Sequence, residues 1–230
     1  MPNITQDKID NCLTPLIGRT LADATTNVLV TLDGSTSDCN WGTDADAPEG
    51  SNLFGPGSLP QIRTFDYVGN SNNSYWLSDA NNPLTGFPTT MGPVGHEGLQ
   101  QFLRTRIGHI AVEQRRQATD GISDTPLFDV ATVKDYMYNN RVYGAEITMA
   151  DVQTICQDPA AAGVQDACNV LAAWDMKVDL DSRGAQVWKE FWSQISSELG
   201  NSFQNVVDSD EFWAVDFDPA DPLNTPAGID

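Results

Sequence analysis

From Asp33 to Gln61 the chain runs through Gly, Pro, Ser and Asp with no hydrophobic periodicity of either kind. That is too long for an ordinary connection between two elements. A stretch of this kind usually carries function or wraps a larger body. From Glu97 onward the pattern changes. Leu99, Phe102, Leu103, Ile107 and Ile110 recur at helical spacing and predict an amphipathic helix. Further helices are predicted over 125–139, with Val130, Val133 and Met137 inward, over 149–155, and over 164–174. Another is expected to start at Leu180 and to align Trp188, Phe191, Trp192, Ile195 and Leu199 on one face. Before Asp33, residues 3–27 look helical apart from Pro15, and 28–34 and 63–77 read as strands. The ending, FDPADPLNTPAGID, reads as extended and Pro-rich, without a closing element. The organisation is therefore strand- and loop-bearing over 1–95 and mainly helical over 96–230.

Charge removes several classes of function. Twelve basic residues against 32 acidic ones give a net charge of −20, which disfavours nucleic acid and anionic membrane surfaces. No apolar run reaches the length of a membrane span. The opening MPNITQDKIDNCL has neither a basic nor an apolar leader region, so no secretory signal is expected there. Cysteines stand at 12, 39, 156 and 168 with no CxxC pair. Two disulfides, most simply 12–39 and 156–168, suit an oxidising compartment and are favoured over four buried thiols.

The usual self-contained catalytic motifs are missing. HExxH, GxSxG, a phosphate-binding loop and GxGxxG are all absent. The two histidines, His96 and His109, read as surface or core residues. Asp38 to Glu49 spaces acidic and amide groups as a calcium loop would, but Thr43 stands where that loop needs glycine. An acidic solvated loop is the better reading. Arg106 is more informative: it falls in the middle of the apolar stripe, while Arg104 turns toward the polar face. A guanidinium placed there needs carboxylate, carbonyl or substrate partners. Asn70, Ser71, Asn72 and Asn73 form a polar cluster ahead of Trp76, which suggests a turn.

Taken in order, NSNNSYWL, NNPLTGF, FLRTRIG, VLAAWD with LDSRGAQVWKEFW, and FDPADPLNTPAGID resemble the β subunit of the penicillin acylase family. The likeness is to acylases of the acyl-homoserine-lactone and aculeacin type, and LDGSTSDCNWG and GPGSLPQIRTFDYV resemble the same family's lead-in. The resemblance implies an α+β, N-terminal-nucleophile (αββα) hydrolase fold, of which this chain is an internal and mostly helical piece forming one incomplete domain. It implies hydrolysis of an acyl amide, such as an acyl-homoserine lactone, an acylated peptide antibiotic or a β-lactam, through an acyl-enzyme on an N-terminal Ser. No residue of this chain matches that nucleophile, so the isolated chain is expected to be inactive. Asn72 matches the family's oxyanion-binding carboxamide, and Arg106, with Arg104 as fallback, matches its active-site Arg. No cofactor is implied; structural calcium is allowed, and Asp79 lies near one family ligand position without a matching surround. The partners implied are an acyl-amide substrate and the remaining parts of the acylase α and β subunits, in a periplasmic or secreted setting. Two rival readings stand beside this one: a non-catalytic extracellular domain binding a ligand or calcium, and a split subunit that works only with a partner chain.

Overall fold

The computed structural model describes residues 8, 11–12, 33–87, 97–198 and 212–229. Apart from Lys8, Asn11 and Cys12, the predicted helix over 3–27 lies outside the described residues, as do the bulk of the strand over 28–34, His96 and Leu199. The chain divides into two compact units, Met1–Leu99 and Gln100–Asp230.

In the first unit, Lys8, Asn11 and Cys12 are helical, and residues 33–87 hold short 3-10 turns at Ser37–Cys39, Pro56–Ser58 and Tyr75–Leu77. The predicted strand over 63–77 is absent. Phe65 is fully exposed and Val68 largely so, and no partner strand pairs with 63–77 among the described residues; a strand needs a neighbouring ladder. A disulfide joins Cys12 to Cys39, as expected. The long irregular stretch is fastened by carboxylates. Asp44 accepts from the Gly55 amide at 2.9 Å and the Ser58 hydroxyl at 2.7 Å, and Asp46 accepts from the Gly57 amide at 2.7 Å. The acidic loop therefore spends two of its charges on its own backbone.

Those bonds have a consequence in acid. The Ser58 hydroxyl and the Gly55 amide stabilise the carboxylate of Asp44 and hold its pKa at about 2. A depressed pKa means that the group's stabilisation is complete above the ordinary carboxylate value and is lost as pH falls through about 2. An NMR pH titration should find the Gly55 amide resonance constant from neutral pH to about 4 and shifting with a midpoint near 2. A shift centred near 4 would show that the anchor does not form.

The second unit contains five α-helices among its described residues: α1 (Leu103–Arg116), α2 (Val130–Tyr138), α3 (Tyr143–Ile155), α4 (Gln165–Ala172) and α5 (Ala185–Glu198). Helix α1 starts later than its periodicity suggests. Glu97 and Gly98 form a turn, Gly98 has φ +71°, and Leu99 is exposed. A left-handed residue there ends any continuous helix from Glu97. Helix α3 contributes to two apolar clusters. Tyr143 packs with Leu103, Phe212 and Trp213, while Ala145 and Val152 pack with Leu171, Trp174 and Trp188. As predicted, α5 directs Trp188, Phe191, Trp192 and Ile195 toward these clusters. Burying an indole removes about 150–250 Å² from water, so the Trp residues dominate the cohesion of the unit. The second expected disulfide, Cys156–Cys168, links the end of α3 to α4.

Helix α2 reverses its expected orientation. Val130, Val133 and Met137 are exposed. Its start is capped by Asp129, which accepts from the Thr132 amide at 2.8 Å while its own amide donates to the Thr132 hydroxyl. The side facing the unit carries Tyr136, whose hydroxyl lies 2.6 Å from Asp120 and 2.9 Å from the Ala111 carbonyl. Asp120 in turn pairs with Arg115 at 3.0 Å, both side chains buried. A buried charge pair wants further hydrogen-bond partners, and Tyr136 is one. That demand outweighs burial of the valines.

The segment LDSRG is a turn rather than a helix start. Gly184 sits just before α5 with φ +127°, and a Cβ there would lie 2.5 Å from Cβ and Cγ of Trp174. Gly184→Ala combines backbone strain with a clash against a buried ring. It should cost of the order of 2–4 kcal/mol in urea unfolding of the chain, whereas Gly163→Ala, which meets open space, should change stability by less than about 1 kcal/mol. Equal losses at the two positions would contradict this packing.

The C-terminal stretch, expected to be open, is a closed loop. Val215 and Ala227 exchange backbone hydrogen bonds at 2.9 and 3.1 Å, and the Gly228 amide donates to the Ile147 carbonyl. The Asp218 amide donates to the Thr225 hydroxyl at 2.8 Å, and the Ile229 amide to Asp151 at 3.1 Å. Prolines removed the donors that a ladder would need, but the remaining amides suffice to fold the segment back on α3.

Candidate active site

The Asn cluster is a tight bend built from its own side chains. The Asn70 side-chain oxygen accepts from the Asn72 amide at 2.9 Å, and Asn72 adopts φ +60°. Asn tolerates this left-handed geometry better than most residues. Ser74 then caps the turn Tyr75–Leu77 by accepting from the Trp76 amide, and Trp76 and Leu77 are buried. The Trp76 indole donates to the Leu99 carbonyl at 3.0 Å, the Leu84 amide to the Trp76 carbonyl at 2.8 Å, and the Gly69 amide to the Ser78 carbonyl at 2.7 Å. The bend is thus fastened on both sides. Asn72 is exposed at its tip, and its backbone, not its carboxamide, makes the bend's hydrogen bond. Beside it, the Asn73 side-chain oxygen is buried without a hydrogen-bond partner among the described residues.

Two neighbouring carboxylates have structural partners. Asp79 is fully buried and accepts from the Asn81 amide and the Asn82 side chain, each at 2.9 Å. Glu97 accepts from the amides of Gly86 and Phe87 at 2.7 and 2.9 Å and from the Tyr75 hydroxyl. Burial works against the charge of Glu97, but the Tyr75 hydroxyl and the two amides outweigh it and hold the pKa below the usual value. Burial, reinforced by Glu97, pushes the Tyr75 phenol up. No group of three or more His, Cys, Asp or Glu side chains among the described residues is arranged to hold a metal ion.

Arg106 lies in the other unit, and each residue is placed within its own. It is fully buried on α1, at the position in the apolar stripe that its spacing indicates, while Arg104 is exposed. Its guanidinium donates from Nη1 to the Pro226 carbonyl at 2.8 Å, and from Nη2 and Nε to the Leu223 carbonyl at 3.0 and 3.2 Å. The Tyr143 ring lies 5.5 Å from the guanidinium carbon. Burial lowers the pKa of Arg106, with Tyr143 and Asp221 opposing. Of the partners a buried guanidinium could take, this one has carbonyls. His109 is buried on the same helix.

Neither motif nor periodicity pointed to a concavity in the helical unit. A half-open cleft of about 750 Å³ is lined by Val142, Val178, Leu180, Trp188, Lys189 and Trp192, among others. The indoles had read only as core; Leu180, an apolar residue inside a polar turn, was the available signal.

Comparison with known proteins agrees with the family resemblance. The family model for penicillin amidase matches residues 7–228. Aculeacin-A acylase of Actinoplanes utahensis is 36% identical over 204 residues, covering 85% of this chain and 23% of that protein. The acyl-homoserine lactone acylase PvdQ of Pseudomonas putida is 32% identical, covering all of this chain and 25% of that protein. Its counterpart in Pseudomonas fluorescens is 29% identical, with 26% of that protein covered. The chain thus spans about a quarter of the length of these relatives, and it belongs to the penicillin amidase family.

Proposed function

We propose that the chain is an internal piece of the β subunit of an acylase that hydrolyses acyl amides, with acyl-homoserine lactones, acylated peptide antibiotics and β-lactams as the candidate substrates. The piece forms one incomplete domain of an αββα hydrolase. In the assembled enzyme an N-terminal Ser from outside this chain attacks the amide carbonyl, using its own α-amine as base. Asn72 donates its carboxamide to the oxyanion that forms. Arg106 is a positioning residue, which holds the loop Leu223–Pro226 through its carbonyls. Two disulfides favour a periplasmic or secreted setting.

The observation that carries this reading is the state of Asn72. A left-handed, non-glycine residue at the tip of a bend fastened on both sides leaves its carboxamide outside the bend's own hydrogen bonding. Its neighbour Asn73 keeps a buried oxygen without a partner among the described residues. Local strain and an orphaned polar atom cluster at functional sites more often than elsewhere. Within the bend, the Asn70 carboxamide serves the backbone and that of Asn72 does not.

The test is a segment exchange. Residues 7–228 replace the matching segment of aculeacin-A acylase, and deacylation is measured alongside the isolated chain. The hybrid is expected to turn over and the isolated chain is not. A correctly assembled hybrid without activity, or hydrolysis by the isolated chain, would overturn the proposal.

A further inference from the structure

We propose that Glu97 and Tyr75 form a clasp that sets the direction of the Asn72 carboxamide. Both are then positioning residues for the amide hydrolysis proposed above, and the inference rests on that reading. A side-chain donor at the tip of a loop works only on a rigid support, since an oxyanion-binding group has to be held within about 0.5 Å of its productive place. The bend does not supply that support by itself. Its internal hydrogen bond runs from the Asn72 backbone amide to the Asn70 side chain, and Asn72 is exposed. Support has to come from the turn Tyr75–Leu77, which begins three residues later.

The segment 97–99 grips that turn at two successive residues. The Leu99 carbonyl accepts from the Trp76 indole at 3.0 Å, and the Glu97 carboxylate accepts from the Tyr75 hydroxyl. The same carboxylate oxygen, Oε1, accepts from the Phe87 amide at 2.9 Å, and Oε2 accepts from the Gly86 amide at 2.7 Å. The Phe87 ring in turn meets the Tyr75 ring edge-on, with centroids 5.8 Å apart and planes at 90°. Glu97, Phe87 and Tyr75 therefore close a triangle, and the phenol swings only by breaking one of its sides. Hydrogen bonds to an ionised carboxylate are roughly twice as strong as neutral ones. The turn is already held without this triangle, because Ser74 caps it and Trp76 and Leu77 are buried. What the triangle adds is a fixed orientation for the residue next to the cap and, three residues back along the chain, for Asn72.

The experiment uses the hybrid acylase that carries residues 7–228. Tyr75→Phe deletes one hydroxyl, keeps the ring against Phe87, and leaves both amide bonds of Glu97 in place. It is expected to lower kcat and kcat/KM together by about tenfold with KM little changed, because the misaimed group acts only on the transition state. Glu97→Ala, which releases Gly86 and Phe87 as well, should lose at least as much. In an Asn72→Gly background Tyr75→Phe should cost nothing further, since the group it aims is gone; a merely structural role would add its loss in either background. Hydrogen exchange of the same proteins needs no turnover. The amides of Gly69 and Asn72, both hydrogen-bonded, should exchange about tenfold faster in Tyr75→Phe, with those of α1 unchanged. An inactive parent hybrid would remove the acylase reading and leave exchange to decide whether the clasp holds the bend. Full kcat in Tyr75→Phe, a rise in KM alone, or full additivity with Asn72→Gly would overturn the clasp in an active hybrid. Unchanged exchange at Asn72 would overturn it in either case.

Discussion

If Asn72 serves the proposed oxyanion role, Asn72→Gly in the assembled enzyme is expected to lower kcat by about 10²–10³, the effect of deleting one such donor. Glycine is the informative replacement. Asn72 has φ +60°, a conformation that costs most L-residues about 1–2 kcal/mol and glycine almost nothing. The bend keeps its shape, since its hydrogen bond uses the Asn72 backbone amide and the Asn70 side chain, and only the carboxamide is removed. Asn72→Ala adds backbone strain to the same loss, so it should be no more active and less stable. Asn72→Asp keeps the size of the side chain but replaces the donor with a negative charge; it should be at least as impaired. Steady-state kinetics on the three variants, with circular dichroism as a control on folding, decide the matter. A Gly variant retaining more than about a tenth of the parent kcat would remove Asn72 from the oxyanion role.

The largest effect on stability is expected at Arg106. Replacing it with Met keeps most of the apolar stem but withdraws three N–H donors from the carbonyls of Leu223 and Pro226. Both acceptors sit in a loop folded against the core. Leaving the Pro226 carbonyl without a partner costs about 1–3 kcal/mol. The Leu223 carbonyl, which keeps only the Tyr143 hydroxyl at 3.4 Å, loses two bonds worth about 0.5–1.5 kcal/mol each, so the total is roughly 2–6 kcal/mol. Arg106→Lys should recover only part of this, because one ammonium cannot reproduce the fork that reaches both carbonyls. Arg104→Met, on the exposed side of the same turn, should stay within about 0.5 kcal/mol of the parent. Hydrogen exchange locates the loss. The amides of Val215, Ala227 and Gly228 should lose protection in Arg106→Met before those of α3 do. Uniform loss across the unit, or matching effects at Arg104 and Arg106, would contradict the assigned role.

Arg106 also shows how far a single chain of residues can be read. Its place in an apolar stripe established that it is buried and needs partners, because helical periodicity is a local property. Which carbonyls answer that need depends on a loop more than a hundred positions later in the chain. The same limit explains α2. The spacing of Val130, Val133 and Met137 correctly marked one apolar face, yet that face is exposed, because the buried Arg115–Asp120 pair and Tyr136 claim the inward side. Helix α1 began later than expected because Gly98 adopts a left-handed conformation, which hydrophobic spacing does not report.

The sequence by itself determined the family, the order of its motifs, both disulfide pairings, the aromatic face of α5 and the burial of Arg106. These depend on residue identity and on spacings of a few residues, or, for the cysteines, on pairing each with its neighbour in the chain. Tertiary structure alone decided which side of α2 is turned inward, how the Pro-rich ending closes under Arg106, and that Trp188, Trp192 and Lys189 share a cleft. Those outcomes follow from competition among distant groups for the same buried surface and the same hydrogen-bond donors, and local pattern carries no record of who wins.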